Sequence, residues 1–458
     1  MTKIENLLYS KKIFWFLTIF LFISFLFILV FNILSFDPIY GYDAEAHFSY
    51  IDHFSRYLPR EISFPNQYES REFFNPPLPY IIPSISQVIC RNVISSSNFL
   101  EDCRPIYSKS SQVFQTLIYL VTLFINMSIC NKLSKNNKFF NFNYMILVFL
   151  LAVNYRTISM IRGEPYILFF MSILFYYFLK ISDKNFDYKS VDIFIFGLII
   201  GFLALSRQWA FLLFPSFFIV YFLIDKMYRN NFSKFISLSF IIGFIFSGWF
   251  YFYLYFEYGS FTAFNKEKMP FSFYNQPLSF YFSSFEDFNL LFEKPIRPNF
   301  SNQLIPILYS DLWGDYWGYF VFTSRFTDIG RNQLLIGDYL ARVNIVSLIP
   351  TLFLLVSFMK LRKNSEKKVF INYLFFSVII SFFGYLWFLI SYPEFPTGDT
   401  IKATYIIQMF NILVLLGSFK LDEIKKKNKK LYTSLIILFL IVYVHNYSSY
   451  LSHFPISF

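Results

Sequence analysis

The sequence predicts an all-α polytopic membrane protein, with about eleven transmembrane helices and two long outer-side loops that carry interfacial helices. Three observations lead there. Of 458 residues, 56% are hydrophobic and only 15% charged, with a mean hydropathy of +0.46; a soluble domain usually carries about 25% charged residues. Several apolar runs reach the roughly 18 residues needed to cross about 30 Å of hydrocarbon. The basic residues, finally, are distributed unevenly between alternate connecting segments.

The expected spans are 13–35, 111–130, 140–153, 165–180, 190–205, 209–225, 235–256, 342–359, 369–391, 401–419 and 431–447. With the N-terminus inside, the cytoplasmic pieces are 1–12, 131–138, 180–189, 225–235, 360–368 and 420–430, and they hold 23 of the 40 Lys and Arg. The short loops assigned outside (154–164, 206–208, 392–400 and the tail after 447) hold three. That asymmetry sets the orientation. It also accounts for the net charge of +11, with KKKNKK at 425–430 as a membrane-flanking anchor, so nucleic acid is not an expected partner. The first apolar run is too long for a cleavable signal and lacks a small-residue cleavage site. The whole of 1–458 is read as a single transmembrane domain with no separate soluble domain.

Two long segments, 36–110 and 257–341, then fall outside, and loops of such length are usually functional. The first contains two surface-lying helices, 44–57 and 78–93, each apolar on one face. Pro76 and Pro77 start the second helix, where a missing N–H costs nothing. Cys90 and Cys103 share this loop and can pair in an oxidising compartment, whereas Cys130 ends an apolar run and reads as core. The second loop carries YSDLWGDYWGYF at 309–320. No internal repeat, Gly-rich phosphate loop, HExxH or CxxC pair is present, and no inverted repeat of the transporter kind.

Candidate chemistry gathers on the outer side. Asp43, Glu45, His47, Asp52, Glu69 and Glu72 lie within thirty residues after the first span. Carboxylates beside a membrane are costly to desolvate, so a cluster of them suggests chemistry. Asp43 admits two readings, an N-cap for helix 44–57 or a general base. Asp43 and Glu45 form a DxE pair that can hold a hard divalent cation, Mg or Mn, although no metal site is firmly indicated. His47 lies four residues after Asp43 and so shares its helical face, as a substrate-binding group or as a histidine satisfied by a carboxylate. Arg162 and Glu164 come from the short loop RGEP. Arg207 ends one span and needs a partner there, either a substrate phosphate or lipid headgroups. Lys402, outside, defies the positive-inside bias and suits a lipid phosphate. Trp313, Tyr316 and Trp317 can stack on a sugar or form an interfacial belt; the neighbouring Asp311 and Asp315 favour the sugar.

These residues resemble a known family. The pattern Y-D-x-x-x-H-x-x-Y-I from Tyr42, followed by E-x-x-N-P-P-L-x-Y from Glu72, is similar to the GT-C superfamily of polyprenyl-phosphate-sugar-dependent glycosyltransferases. It looks closest to the bacterial group related to protein O-mannosyltransferases and lipid A aminoarabinose transferases. GLIIGFLALSRQWAFLLFP resembles that group's G-x-x-x-G-x-x-x-x-x-R pattern, and a late loop leads into IKATYII where such enzymes often place Lys or Arg. The resemblance covers roughly the first 250 residues, and the last third by topology alone. It implies Asp43 as base or acceptor-positioning acid, Glu72 lining the same cavity, and Arg207 and Lys402 on the donor's phosphate. It implies an inverting transfer from a polyprenyl-phosphate-linked sugar to a lipid, glycan or protein acceptor, in a bacterial inner membrane. RGEP stands where relatives often have Asn-Asp, and their larger periplasmic domain after the last span is missing. A transporter or flippase, an O-antigen-type polymerase or ligase, and a non-catalytic scaffold are the alternatives.

Overall fold

The computed structural model describes residues 11–93, 99–134, 138–321, 329–360 and 367–452. The expected cytoplasmic piece 1–12 lies outside these except for its last two residues, as do parts of 131–138, 360–368, loop 257–341 and the tail after 447. Every regular element among the described residues is a helix. Seven are long and apolar enough to cross a membrane: Lys12–Ser35, Asp102–Leu133, Glu164–Ser182, Lys226–Tyr258, Ile336–Lys360, Lys368–Ser391 and Ala403–Lys427. The chain is an integral membrane protein.

The crossing count differs from the expected eleven in instructive places. Expected span 140–153 falls on two helices, Phe139–Val148 and Ala152–Ser159, bent by 69° and an eighth crossing if taken together. The second half carries polar residues with fixed, buried partners. Asn154 donates to the Tyr119 hydroxyl at 2.8 Å, and Thr157 shares a hydrogen bond with Thr404 at 2.9 Å. Unpaired, such groups would be costly in this environment; the bend brings them to their partners. Expected spans 190–205, 209–225 and 431–447 fall on short helices, Ser190–Ser206, Gln208–Leu223 and the 17-residue Lys429–His445, so the figure of eleven depends on these.

Small residues bring Ser190–Ser206 against Lys226–Tyr258. A Cβ on Gly197 would stand 2.6 Å from Ile242 Cβ and 2.8 Å from the Ser239 carbonyl, so only glycine permits this approach. That packing fixes the end of the shorter helix, where Arg207 emerges.

The expected surface helices are present as Ala44–Tyr57 and Leu78–Val93. The next helix, Phe99–Leu133, begins well before the expected 111, and its added turns carry Cys103, Arg104 and Tyr107. Cys90 and Cys103 are bonded, with Cα atoms 5.9 Å apart. Asp52 is buried beneath these helices and accepts from Arg104 Nη2 at 2.9 Å, Tyr107 Oη at 3.1 Å and Gln87 Nε2 at 3.2 Å. One carboxylate thereby ties helix 44–57 to both neighbours, and Asp43 starts from a fixed support.

Gly197→Val is expected to force these helices apart, an overpacking cost of about 1–3 kcal/mol. The melting temperature of the detergent-solubilised protein should fall; an unchanged melting temperature would mean that the two helices do not rely on this contact.

Candidate active site

Asp43 precedes the first surface helix with φ 52° and ψ 25°, left-handed backbone that Asp tolerates better than most residues. It occupies the N-cap position, yet its side chain makes no capping hydrogen bond. Instead Oδ2 lies 3.0 Å from Lys402 Nζ and 3.9 Å from Arg162 Nη2. The left-handed turn, which costs on the order of 1 kcal/mol, aims the carboxylate away from the helix end and toward cations.

From Asp43 an ion network continues inward. Arg162 also donates to the Tyr42 carbonyl at 3.1 Å and stands 3.9 Å from Glu164. Glu164 Oε1 is 3.4 Å from Arg207 Nε, and Arg207 Nη1 is 3.4 Å from Glu72 Oε2. Gly163 makes this meeting possible: a Cβ there would lie 2.4 Å from the Ser206 carbonyl, next to Arg207. Glu72 accepts from Asn75, Asn75 donates to the Tyr80 hydroxyl at 3.1 Å, and that hydroxyl is 2.8 Å from His47 Nδ1. The Tyr405 ring lies beneath Lys402 and Arg207, 5.5 and 5.9 Å from its centroid.

Three cations and three carboxylates therefore share one patch, buried except at Asp43, with unused hydrogen-bonding capacity. Arg162 Nε and Nη1, both Glu164 oxygens and His47 Nε2 are buried without a hydrogen-bond partner. Native interiors rarely leave such atoms unsatisfied without a functional reason. Burial raises the Asp43 pKa, but Lys402 and Arg162 outweigh it and hold the carboxyl below its usual range. Burial also raises Glu72, and Arg207 does not fully offset that, so the two acids are pushed apart. Burial, then Arg162 and Arg207, keep His47 neutral by lowering its pKa.

Of the expected site residues, Asp43, Glu72, Arg162, Glu164, Arg207 and Lys402 come together, and His47 joins them through Tyr80. Glu45 does not. Its side chain is 70% exposed and pairs with Arg104 Nη1 at 3.2 Å, because two residues along a helix turn a side chain to another face. The expected Asp43–Glu45 cation site therefore does not fit this arrangement: Asp43 faces two cations and Glu45 faces a third.

Asp311, Asp315 and Trp313 also depart from expectation as substrate contacts. Asp311 and Asp315 are fully buried around Arg156, whose Nη2 is 2.9 Å from Asp311 Oδ1 and whose Nη1 is 3.7 Å from Asp315 Oδ1. Asp315 also accepts from the backbone N–H of Phe320 at 2.7 Å and Val321 at 2.8 Å. These demands fold the loop inward, and Trp313, Tyr316 and Trp317 are each at most 2% exposed. Trp313 lines an apolar cavity of about 300 Å³ together with Phe382 and Phe410. Arg156 itself was missed by the sequence reading, although an arginine beside an apolar run is a signal; Tyr42, Asn75, Tyr80 and Tyr405 stand in the motifs quoted above but were given no role there.

No protein-family model and no curated protein matches the chain. Among solved structures it is similar to ArnT from Cupriavidus metallidurans bound to undecaprenyl phosphate, at 11% identity and TM-score 0.48, over 93% of this chain and 63% of that one. It is similar also to the oligosaccharyltransferase AglB from Archaeoglobus fulgidus in complex with an inhibitory peptide and a dolichol-phosphate, at 12% identity and TM-score 0.44, over 96% and 57%. An A. fulgidus oligosaccharyltransferase tethered with an acceptor peptide matches at 14% identity and TM-score 0.46, over 98% and 56%. The chain spans less than two thirds of the length of each.

Arg156→Leu strands two buried carboxylates, and removing one partner of such a group costs about 3–5 kcal/mol. The variant is expected to melt well below the wild type. An equal melting temperature would show that Arg156 contributes nothing net.

Proposed function

We propose that the protein is a membrane glycosyltransferase that moves a sugar from a polyprenyl-phosphate donor to a lipid, glycan or protein acceptor at the outer membrane face. One observation carries the reading: Arg162, Arg207 and Lys402 meet Asp43, Glu72 and Glu164 in one patch with orphaned polar atoms. A lipid-linked phosphate keeps its tail in the bilayer and its charge at the boundary, where desolvated cations bind it strongly. The sequence resemblance to GT-C enzymes points the same way. The outer face is favoured by the lysine asymmetry and by the Cys90–Cys103 bond, since disulfides persist in oxidising compartments.

In this reading Lys402 and the two arginines take the donor's phosphate. Asp43 paired to Lys402 is a weak base; phosphate arriving at Lys402 competes for that cation and restores the carboxylate's basicity. Asp43 then takes the acceptor's proton while the acceptor oxygen or nitrogen bonds to the anomeric carbon. The carbon–oxygen bond to phosphate breaks, its electron pair leaves with polyprenyl phosphate, and a single displacement inverts the centre.

The purified full chain, given a polyprenyl-phosphate sugar and acceptor, should release free polyprenyl phosphate. Asp43→Asn should slow release by about 10²–10⁴, the usual worth of a general base, while leaving the fold intact. An N-cap alone would tolerate Asn, so near-normal turnover would remove Asp43 from the chemistry.

Orientation has its own check, using a membrane-impermeant maleimide on intact cells. Cysteines at the exposed positions Gln67 and Tyr274 should label and one at Asn428 should not. The reverse pattern would invert the topology.

A further inference from the structure

Asp311 lies in a different part of the chain from Asp43 and Lys402, yet it touches the neighbour of each. Its Oδ1 accepts from the Tyr42 hydroxyl at 3.0 Å, one residue before Asp43. Its Oδ2 accepts from the Ala403 backbone N–H at 2.7 Å, one residue after Lys402. Arg156 fixes the carboxylate in turn, through Oδ1 at 2.9 Å and through the Asp311 and Gly314 carbonyls, each at 2.6 Å. Asp43 and Lys402 are far apart in sequence and meet at 3.0 Å.

We propose that Asp311 is a positioning residue: its two carboxylate oxygens hold the flanks of Asp43 and Lys402 and so fix the spacing of that ion pair. It touches neither donor nor acceptor, and acts only through the pair it aligns. The role, though not the geometry, rests on the reading of Asp43 and Lys402 as the reacting pair. A Lys402 held too loosely would neither mask Asp43 before the donor arrives nor be well placed for its phosphate.

Asp43 reports the spacing through its own titration. The charged and titratable groups within its electrostatic reach are Lys402, Arg162, His47, Glu72, Tyr405 and Lys266. Lys402 is the first of the charges that lower it, ahead of Arg162, so moving it away raises the carboxyl toward its ordinary range. Loss of an opposite charge at this distance is worth about 1 pH unit or more.

The test is a pH-difference infrared titration of the full-length protein without substrate, with the Asp43 band identified by its loss in Asp43→Asn. In Asp311→Asn, where the amide keeps one acceptor oxygen and its NH2 can only donate, one of the two partners is lost and the Asp43 midpoint should rise by about 1 unit or more. Tyr42→Phe removes one strand of the clamp and leaves Arg156 paired, so it should fold and show a smaller rise; it decides the matter if Asp311→Asn does not fold. Phe439→Ala, which weakens the packing against Phe353 elsewhere in the fold, should leave the midpoint unmoved. An unchanged midpoint in folded Asp311→Asn, or in Tyr42→Phe if that is the only folded variant, would overturn the proposal, as would an equal rise in Phe439→Ala. The titration needs no turnover, so failure of sugar transfer would count against the proposed function and leave this result standing.

Discussion

Desolvated charge is the constraint on which the site depends. Arg156, Arg162, Arg207 and Lys402 are all at most 8% exposed, in a protein whose surroundings are largely hydrocarbon. A surface ion pair contributes about 0–1 kcal/mol, whereas stranding one member of a buried pair costs about 3–5 kcal/mol. Each cation must therefore meet an acid, and the path of the chain reflects those meetings. The bend after Val148, the left-handed turn at Asp43, the glycine at 163 and the inward fold of 311–321 each deliver one charged group to another.

The two buried clusters differ in what they leave unused. Around Arg156, Asp311 and Asp315 the carboxylate oxygens are occupied by guanidinium, tyrosine hydroxyl and backbone N–H groups. Around Arg162, Arg207 and Glu164 several atoms have no hydrogen-bond partner. A cluster with spare donors beside a half-open carboxylate, 32% exposed at Asp43, suits a ligand. A cluster whose carboxylates are all engaged, with the Arg156 Nε left without a hydrogen-bond partner, suits support. The two are joined through Tyr42 and Ala403.

Much of this was legible in the sequence, and the limits have physical causes. The surface helices 44–57 and 78–93 follow from apolar periodicity and proline placement, both local. Asp43, Glu72, Arg162, Glu164, Arg207 and Lys402 were legible because charge is scarce here, so each charged residue near a span end stands out. Glu45 misled because a DxE spacing looks like a metal pair in a linear sequence but diverges on a helix. The DLWGDYW segment misled because aromatics flanked by acids suggest a sugar platform, whereas their burial is decided by Arg156, which is remote in sequence. Helix 99–133 starts before its apolar stretch because its first turns are held by the cystine and by Arg104, which hydropathy does not register.

Whether the cation patch takes a lipid-linked phosphate is most directly measured by binding. Titrating the detergent-solubilised protein with a short-chain polyprenyl phosphate, and with the matching polyprenol, separates phosphate recognition from tail burial. The geometry calls for binding that needs the phosphate and weakens about tenfold or more in Lys402→Met, since one charge-assisted hydrogen bond contributes about 1.5–3 kcal/mol. Equal affinity for the polyprenol, or no loss in Lys402→Met and Arg207→Met, would contradict it.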